Sequence, residues 1–149
     1  MKNPGYIVVG VDGSPSSLDA LQWAVGQAAL TGAGVRAVIA WEYPPLSGVN
    51  PITAHVDWPA KAKQTIDAAV DKAVDIDNVT VSSVVIAGHP AQVLLEVSVG
   101  AELLVIGNSG HGGFTESLPG SVREHVIANA TCPVLVVCQA GNAPAGSPV

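Results

Sequence analysis

The sequence is poor in charged residues, and positive charges are the scarcest of all. Lys and Arg together number only 6 of 149 residues, against 12 Asp and Glu, so the formal net charge is −6. The cations are scattered along the chain and form no basic patch that could neutralise a phosphate backbone. We therefore expect no nucleic acid partner.

Long apolar runs are also missing from the chain. No run approaches the roughly 18 residues that a membrane-spanning helix needs. The N-terminal stretch MKNPGYIVVGVDG lacks the long apolar segment of a signal peptide and is typical of a first strand. We expect a cytoplasmic protein with no membrane partner.

Cysteine occurs only twice, as Cys132 and Cys138. Both lie on one predicted strand, where a spacing of ~3.3 Å per residue puts them roughly 20 Å apart, far beyond disulfide reach. We expect them to be core thiols in a reducing cytoplasm. A bridge between two chains is the alternative interpretation.

What the sequence has in abundance is apolar residues. They make up 48% of the chain, while charged residues make up 12%, about half of the typical ~25%. This composition and length predict one compact domain over residues 1–139. The last segment, residues 140–149, is small and contains proline, and we expect it to be a flexible tail.

Predicted strands and helices alternate along the chain. The strands are nearly continuous Val and Ile runs, and the helices begin at Ser-Pro or His-Pro pairs or follow loops. The predicted strands are 6–12, 35–41, 79–88, 102–108 and 132–139; the predicted helices start near 15, 60, 90 and 120. Fully apolar strands joined by helices require a parallel sheet covered on both faces, which is a doubly wound α/β domain.

Two turns at the carboxyl ends of strands have suitable chemistry for a ligand. The first runs from Gly10 to Ser14 and contains Asp12, whose carboxylate could accept from ribose hydroxyls or hold a metal ion. The second runs from Gly107 to Ser121 and leads into a helix. There the unpaired N–H groups and the helix dipole favour a phosphate. Ser121 either caps that helix or donates its hydroxyl to a phosphate oxygen.

Two other phosphate-binding motifs do not fit. A Walker A loop ends in Gly-Lys-Ser/Thr, and Gly120-Ser121 has no lysine between its members. The dinucleotide fingerprint belongs after the first strand, where GVDGSP does not match it.

The glycine spacing resembles that of a known family. Gly107-x2-Gly110-x9-Gly120-Ser121 is similar to the glycine signature of the ATP-binding branch of the universal stress protein family. The likeness extends to about residue 139, through IVVGVDGSPSS, AGHPAQVLLE and ATCPVLVV. It implies an adenine nucleotide alpha hydrolase-like fold with strand order 3-2-1-4-5. It also implies a bound adenine nucleotide and, as is common in the family, a homodimer.

The resemblance also implies a set of nucleotide-binding residues. Asp12 would lie near the adenosine, and also near a metal ion, and Ala40 would line the adenine. The remaining positions follow the two turns and the helix start: Gly10, Val11, Gly107, Asn108, Gly110, His111, Gly112, Gly113, Gly120, Ser121 and Val122. Many relatives carry a basic residue between or just after the first two glycines, whereas this chain has Ser109 and His111.

The small number of positive charges near this loop limits which nucleotide can bind. No Lys or Arg lies between Gly107 and Gly120, and Arg123 is the nearest cation in the sequence. A triphosphate would therefore need a divalent ion. Because Gly120 and Ser121 extend the cradle beyond one phosphate, we expect ATP accompanied by Mg²⁺, with Asp12 as a metal ligand. The alternative is a less charged ligand, AMP or cyclic AMP.

No catalytic constellation is visible in the sequence. There is no Ser/His/Asp arrangement or paired catalytic carboxylate, and Glu116 is a lone candidate within the loop. We expect a nucleotide-dependent regulator of stress or growth state rather than an enzyme. A weak ATP hydrolase and a dimerising scaffold without ligand are the alternatives.

The last predicted strand points to self-association. After Glu124 the sequence contains no Asp, Glu, Lys or Arg, and CPVLVVCQ is apolar almost throughout. At a sheet edge such a strand exposes unpaired backbone, which pairing with a second copy across a two-fold axis would cover. We therefore expect a homodimer through this strand.

Overall fold

The computed structural model describes residues 5–42, 57–73, 78–108 and 119–138, without the side chains of residues 119–121. Strands and helices alternate over these residues. They are β1 (Tyr6–Gly10), α1 (Pro15–Thr31), β2 (Gly34–Trp41), α2 (Trp58–Ala73), β3 (Val81–Ala87), α3 (Pro90–Val97), β4 (Leu103–Gly107), α4 (Pro119–Asn129) and β5 (Val134–Val137).

The strands form one parallel sheet in the order β3-β2-β1-β4-β5. Both the doubly wound fold and the strand order predicted from the sequence are confirmed. The order reverses direction between β1 and β4, which are neighbours in the sheet although α1, β2, α2, β3 and α3 lie between them in the chain. Such a reversal opens a crevice at the carboxyl ends of the two strands.

Two apolar layers cover the sheet, one on each face. On one face α1 and α2 pack through Leu21, Val25 and Ile66. On the other face α3 and α4 pack through Leu94 and Val126. Burial on both faces explains why the central strands are continuous Val and Ile runs rather than alternating ones.

Local signals set the bounds of α1. Ser14 caps the helix by accepting a hydrogen bond from the Ser17 N–H at 3.1 Å, and Pro15 occupies the first helical position. Gly32 ends the helix in the left-handed conformation with φ of 82°, and its N–H bonds to the Ala28 carbonyl. The predicted start of this helix near residue 15 is confirmed.

Two sequence predictions about helix starts are wrong. We expected α2 to begin near Ala60, but it begins at Trp58, because Asp57 accepts a hydrogen bond from the Ala60 N–H at 3.1 Å. We also expected Ser121 as a possible cap of α4, but this helix begins at Pro119, which places Ser121 inside its first turn.

A third prediction concerns the cysteines, and it is wrong for one of them. β5 ends at Val137, one residue before Cys138, so the thiol of Cys138 is exposed instead of buried in the core. Cys132 precedes the strand and is half-buried. The predicted tail, residues 140–149, lies outside the described residues.

Candidate functional site

The candidate site lies where the sheet changes direction, at the carboxyl ends of β1 and β4. Gly10 ends β1 and Gly107 ends β4. Along the chain β1 leads directly into α1, and α4 is the next element after β4, beyond residues 109–118, which lie outside the described residues. Helix N-termini present unpaired N–H groups and a partial positive charge, which attract anions.

The turn after β1 is held in place by its own hydrogen bonds. The Val11 N–H donates to the Val38 carbonyl at 2.8 Å, and the Val11 side chain is buried in the core under α1 and α2. Within the described part of the chain, no hydrogen bond occupies the Val11 carbonyl, so this group is available to a ligand. Gly13 follows with φ of 86°, a conformation that L side chains rarely adopt.

Asp12 is tied to the first residues of α1. Its Oδ1 accepts from the Ser14 N–H at 2.9 Å and from the Ser14 hydroxyl at 2.5 Å. Its own N–H donates to Ser17 Oγ at 3.3 Å, and the Ser17 hydroxyl in turn donates to the Ser14 carbonyl at 3.0 Å. The half-buried Asp12 carboxylate is therefore fixed through Oδ1, and no hydrogen bond from the described part of the chain occupies Oδ2.

Gly107 allows β4 to approach the first turn of α1. A Cβ atom at this position would lie 2.2 Å from Ser16 Oγ and 2.7 Å from the backbone carbon and oxygen of Ser16. No other residue type has room there. The glycine that the sequence suggested as a ligand contact therefore has a packing role, which brings the end of β4 against the Asp12 turn.

Gly10 has a comparable packing role on the opposite face of the sheet. A Cβ atom there would lie 3.0 Å from Leu94 Cδ1 and 3.2 Å from Leu94 Cδ2 in α3. Ala40 lies near the end of β2, half-buried, and packs against the cluster under α3 and α4. Its small side chain keeps the sheet surface low at the strand end, which suits a flat ring above it.

Asn108 links three elements immediately after β4. Its N–H donates to the Val137 carbonyl in β5 at 3.0 Å. Its carbonyl and its Oδ1 both accept from Arg123 Nη1, at 2.5 and 2.7 Å. Arg123 thus spans from α4 to the end of β4, and we call this pair of hydrogen bonds the Arg123–Asn108 clamp.

The first turn of α4 supplies the other predicted phosphate contacts. Gly120 and Ser121 follow Pro119 in this turn, where backbone N–H groups have no intrahelical acceptor. Val122 is half-buried and packs against the cluster under α3 and α4, which fixes the helix on the sheet. The predicted residues Gly110, His111, Gly112 and Gly113 lie outside the described residues.

Sequence reasoning missed two features of this site. It identified Ser14 as a cap, but it did not anticipate that Ser14 and Ser17 would fix Asp12. It also noted Arg123 only as a nearby cation and missed the clamp. The signal for the clamp was an Asn directly after a strand and an Arg one turn into the next helix, which is a weak pattern without the fold.

The described residues contain no group of three or more His, Cys, Asp or Glu side chains that could hold a metal ion by themselves. The predicted metal role of Asp12 would therefore need oxygen ligands from the nucleotide, as Mg²⁺ commonly has. Within the same part of the chain, no helix is long and apolar enough to cross a membrane.

The chain is similar to known proteins over nearly its whole length. The model of the universal stress protein family matches residues 5–137. Universal stress protein Rv2005c of Mycobacterium tuberculosis (strain ATCC 25618 / H37Rv) is 34% identical over 136 residues, which are 89% of this chain and 45% of that protein. The chain spans about half the length of the curated relatives it matches.

Two solved structures share the fold. A universal stress protein crystallised in complex with cAMP is 28% identical, with a TM-score of 0.68 over 89% of this chain and 96% of that one. The universal stress protein UspA from Lactobacillus plantarum is 19% identical, with a TM-score of 0.73 over 92% of this chain and 99% of that one. The latter likeness concerns the fold alone.

Proposed function

Because this chain belongs to the universal stress protein family, we propose that it binds an adenine nucleotide in the crevice between β1 and β4. One observation carries the proposal: the close approach of Gly107 to Ser16 brings the end of β4 against the turn that holds Asp12. The 28% identical structure in complex with cAMP supports the same ligand class.

Each part of the crevice has a proposed role. Ala40 lies under the adenine ring, and Asp12 Oδ2 accepts from a ribose hydroxyl or coordinates a metal ion. The N–H groups of Gly120 and Ser121 donate to phosphate oxygens, supported by the dipole of α4. These roles use groups that the hydrogen bonds among the described residues leave available.

We favour ATP accompanied by Mg²⁺ as the ligand. The guanidinium of Arg123, the nearest cation in the sequence, is engaged by Asn108. The helix dipole supplies only roughly half a positive charge, too little for a triphosphate. A divalent ion that bridges the phosphates and Asp12 would supply the missing charge.

Cyclic AMP or AMP is the second candidate, and two observations favour it. The solved relative that is 28% identical is described in complex with cAMP. The same shortage of cations that requires a metal for ATP suits a ligand with fewer negative charges.

Calorimetric titrations with ATP, AMP and cyclic AMP, each in magnesium and in EDTA, test the proposal. We expect tight ATP binding in magnesium and weak binding in EDTA. Tight cyclic AMP binding that EDTA does not change, together with weak ATP binding in both buffers, would select the second candidate. No binding of any adenine nucleotide would refute the proposed function.

We propose that the chain is a nucleotide-dependent regulator that reports stress or growth state, and that it is not an enzyme. Asp12 Oδ1 accepts from the N–H and hydroxyl of Ser14, and the proposed role of Oδ2 is to bind the ribose or a metal ion, so neither oxygen is assigned to activating a water. Release of inorganic phosphate from bound ATP at single turnover would instead indicate the weak hydrolase.

We also propose a homodimer that pairs β5 with its copy, in a reducing cytoplasm. β5 is an edge strand of the sheet, and its residues Val134–Val137 are all half-buried apolar ones.

A further inference from the structure

The backbone of β5 offers hydrogen-bonding groups at its outer edge. The Pro133 and Val137 carbonyls accept from the Leu104 and Asn108 N–H groups of the inner neighbour, at 2.9 and 3.0 Å. Successive residues of a strand direct their N–H and C=O groups to opposite sides. Val134 and Val136 therefore direct theirs outward, where the described part of the sheet has no further strand.

A two-fold axis restricts how two such strands can pair. In a symmetric antiparallel pair, residue i faces j and residue j faces i, so the axis passes beside one residue that faces itself. The segment from Cys132 to Cys138 is centred on Leu135. With the axis at Leu135, Val134 faces Val136 of the second copy, and every outward-directed residue of the segment finds a partner.

The same register brings the cysteines together, and we propose that Cys132 of one chain forms a disulfide with Cys138 of a second copy. This inference rests on the proposed homodimer. Symmetry repeats the bond, so each dimer carries two. Moving the axis to Val136 would instead place Cys138 opposite Val134 and leave Cys132 without a partner in the segment.

The geometry of the pair suits a disulfide. Residues that face each other in a hydrogen-bonded antiparallel pair have Cα atoms about 5.5 Å apart, within the ~4.4–6.8 Å range of disulfides. Cys132 lies at a bend two residues before Val134, and Cys138 directly follows Val137. Both therefore stand at the ends of the ladder, where the backbone can adjust to bring the Cβ atoms closer.

The two thiols also lie on the same face of the sheet. Cys132, Val134 and Val136 pack towards the cluster under α3 and α4. Alternation along the strand places Cys138 on that face as well. A two-fold axis perpendicular to the sheet preserves the face, so both sulfurs meet on one side. Cys138 is exposed and Cys132 is half-buried, and both are free.

Hydrogen peroxide is the oxidant class for this step. The Cys138 thiolate attacks one peroxide oxygen, the O–O bond breaks, and the hydroxide that leaves takes a proton to become water. The Cys132 thiolate of the second copy then attacks the sulfenic sulfur and displaces a second hydroxide, which becomes water. Two thiols lose two electrons and two protons, and one peroxide gives two waters. The bond converts a dissociable dimer into a covalent one.

The test uses the full chain treated with hydrogen peroxide, followed by electrophoresis without reductant and mass spectrometry of the cross-linked peptides. We expect a covalent dimer joined through Cys132 and Cys138. We expect its loss in Cys132→Ser and in Cys138→Ser, since each variant alone retains thiols that lie far apart in the dimer. Mixing the two variants under reducing conditions before oxidation should restore one bridge per mixed dimer.

Light scattering in reductant separates this inference from the homodimer on which it rests. A monomeric chain refutes the homodimer and the disulfide together. A dimer that yields no Cys132–Cys138 link, or a Cys138–Cys138 link that persists in Cys132→Ser, overturns the disulfide alone. Nucleotide binding, measured by calorimetry in reductant, is independent of both results.

Discussion

At the residue scale, glycine meets two different needs around the crevice. Gly107 is required by packing, because a Cβ atom there would collide with Ser16. Gly120 lies in the first turn of α4, where the proposed phosphates approach the backbone. The first glycine shapes the site and the second leaves room for its ligand, so the two should respond differently to substitution.

Replacing Gly120 with Asp should abolish nucleotide binding and leave the helix intact. Two like charges about 4 Å apart at an effective dielectric of roughly 20 repel by about 4 kcal/mol, which weakens affinity on the order of a thousandfold. An acidic residue in a first helical turn also interacts favourably with the helix dipole, which stabilises the helix. Calorimetry gives the affinity, and circular dichroism gives the helix content.

A matched control for this variant is Gly26→Asp, which adds the same charge at a position of α1 with no neighbouring atom within 4 Å. It should bind nucleotide as the unmodified chain does. Unchanged affinity in Gly120→Asp would remove the N-terminus of α4 from the site.

Replacing Arg123 with Ala should weaken ATP binding about tenfold, which corresponds to ~1.4 kcal/mol. The variant loses the clamp that holds Asn108 to α4, and it removes a positive charge next to the end of β4. The control is Arg36→Ala, which removes the same charge from a guanidinium that lies over the Tyr6 ring at 4.1 Å. Equal losses in the two variants would mean that net charge, and not the clamp, sets the affinity.

At the scale of elements, the contact between β4 and α1 decides the shape of the site. Ser14, Ser16 and Ser17 are all buried at the start of α1, although serine is usually a surface residue. Ser14 and Ser17 bond to the Asp12 turn, and Ser16 lies against Gly107. The first turn of α1 is therefore held between the Asp12 turn and the end of β4.

Replacing Gly107 with Ala should displace the first turn of α1. The new methyl group would meet the Ser16 backbone as well as its hydroxyl, so α1 must shift. Overpacking of this kind costs typically about 1–3 kcal/mol, which lowers the melting temperature by several degrees in a chain of this size. Nucleotide affinity should fall as well, because the Asp12 turn moves with α1.

The control for Gly107→Ala is Gly34→Ala, where the added Cβ atom would lie 3.6 Å from the Thr80 carbonyl, an ordinary contact. That variant should keep its melting temperature and its affinity. If Gly107→Ala also kept both, the close approach of β4 to α1 would not determine the site.

Local sequence patterns predicted the helices and strands, but they did not predict contacts between residues that are far apart in the sequence. Ser14-Pro15 and Gly32 mark the ends of α1 because caps act within a few residues. α2 begins at Trp58, just before the predicted start near residue 60, because Asp57 caps the helix and Pro59 suits a first helical turn. The contact of Gly107 with Ser16 depends on the packing of β4 against α1, so no short pattern could reveal it.

At the scale of the whole molecule, the two edges of the sheet differ. β3 forms one edge and exposes Ser82 and Ser83. β5 forms the other edge with four apolar residues, and no charged residue follows Glu124 in the sequence. Polar and charged side chains protect an edge from pairing, and β5 lacks them. The asymmetry favours β5 as the edge that pairs in the proposed homodimer.

Replacing Val136 with Pro should therefore dissociate the dimer without unfolding the chain. The Val136 N–H is directed outward, so proline removes a donor from the outer edge and none from the ladder with β4. Light scattering at micromolar concentration should give twice the mass of one chain for the unmodified protein and the mass of one chain for the variant.

Ser83→Pro is the matched control on the other edge of the sheet. The Thr80 carbonyl and the Gly88 N–H bond to β2, so the groups of Thr80 and Gly88 are directed inward. Alternation along β3 then directs the Ser83 N–H outward, away from β2. That control should remain dimeric, with a circular dichroism spectrum like that of Val136→Pro. A dimer in Val136→Pro, or a monomer in Ser83→Pro, would place the interface elsewhere on the molecule.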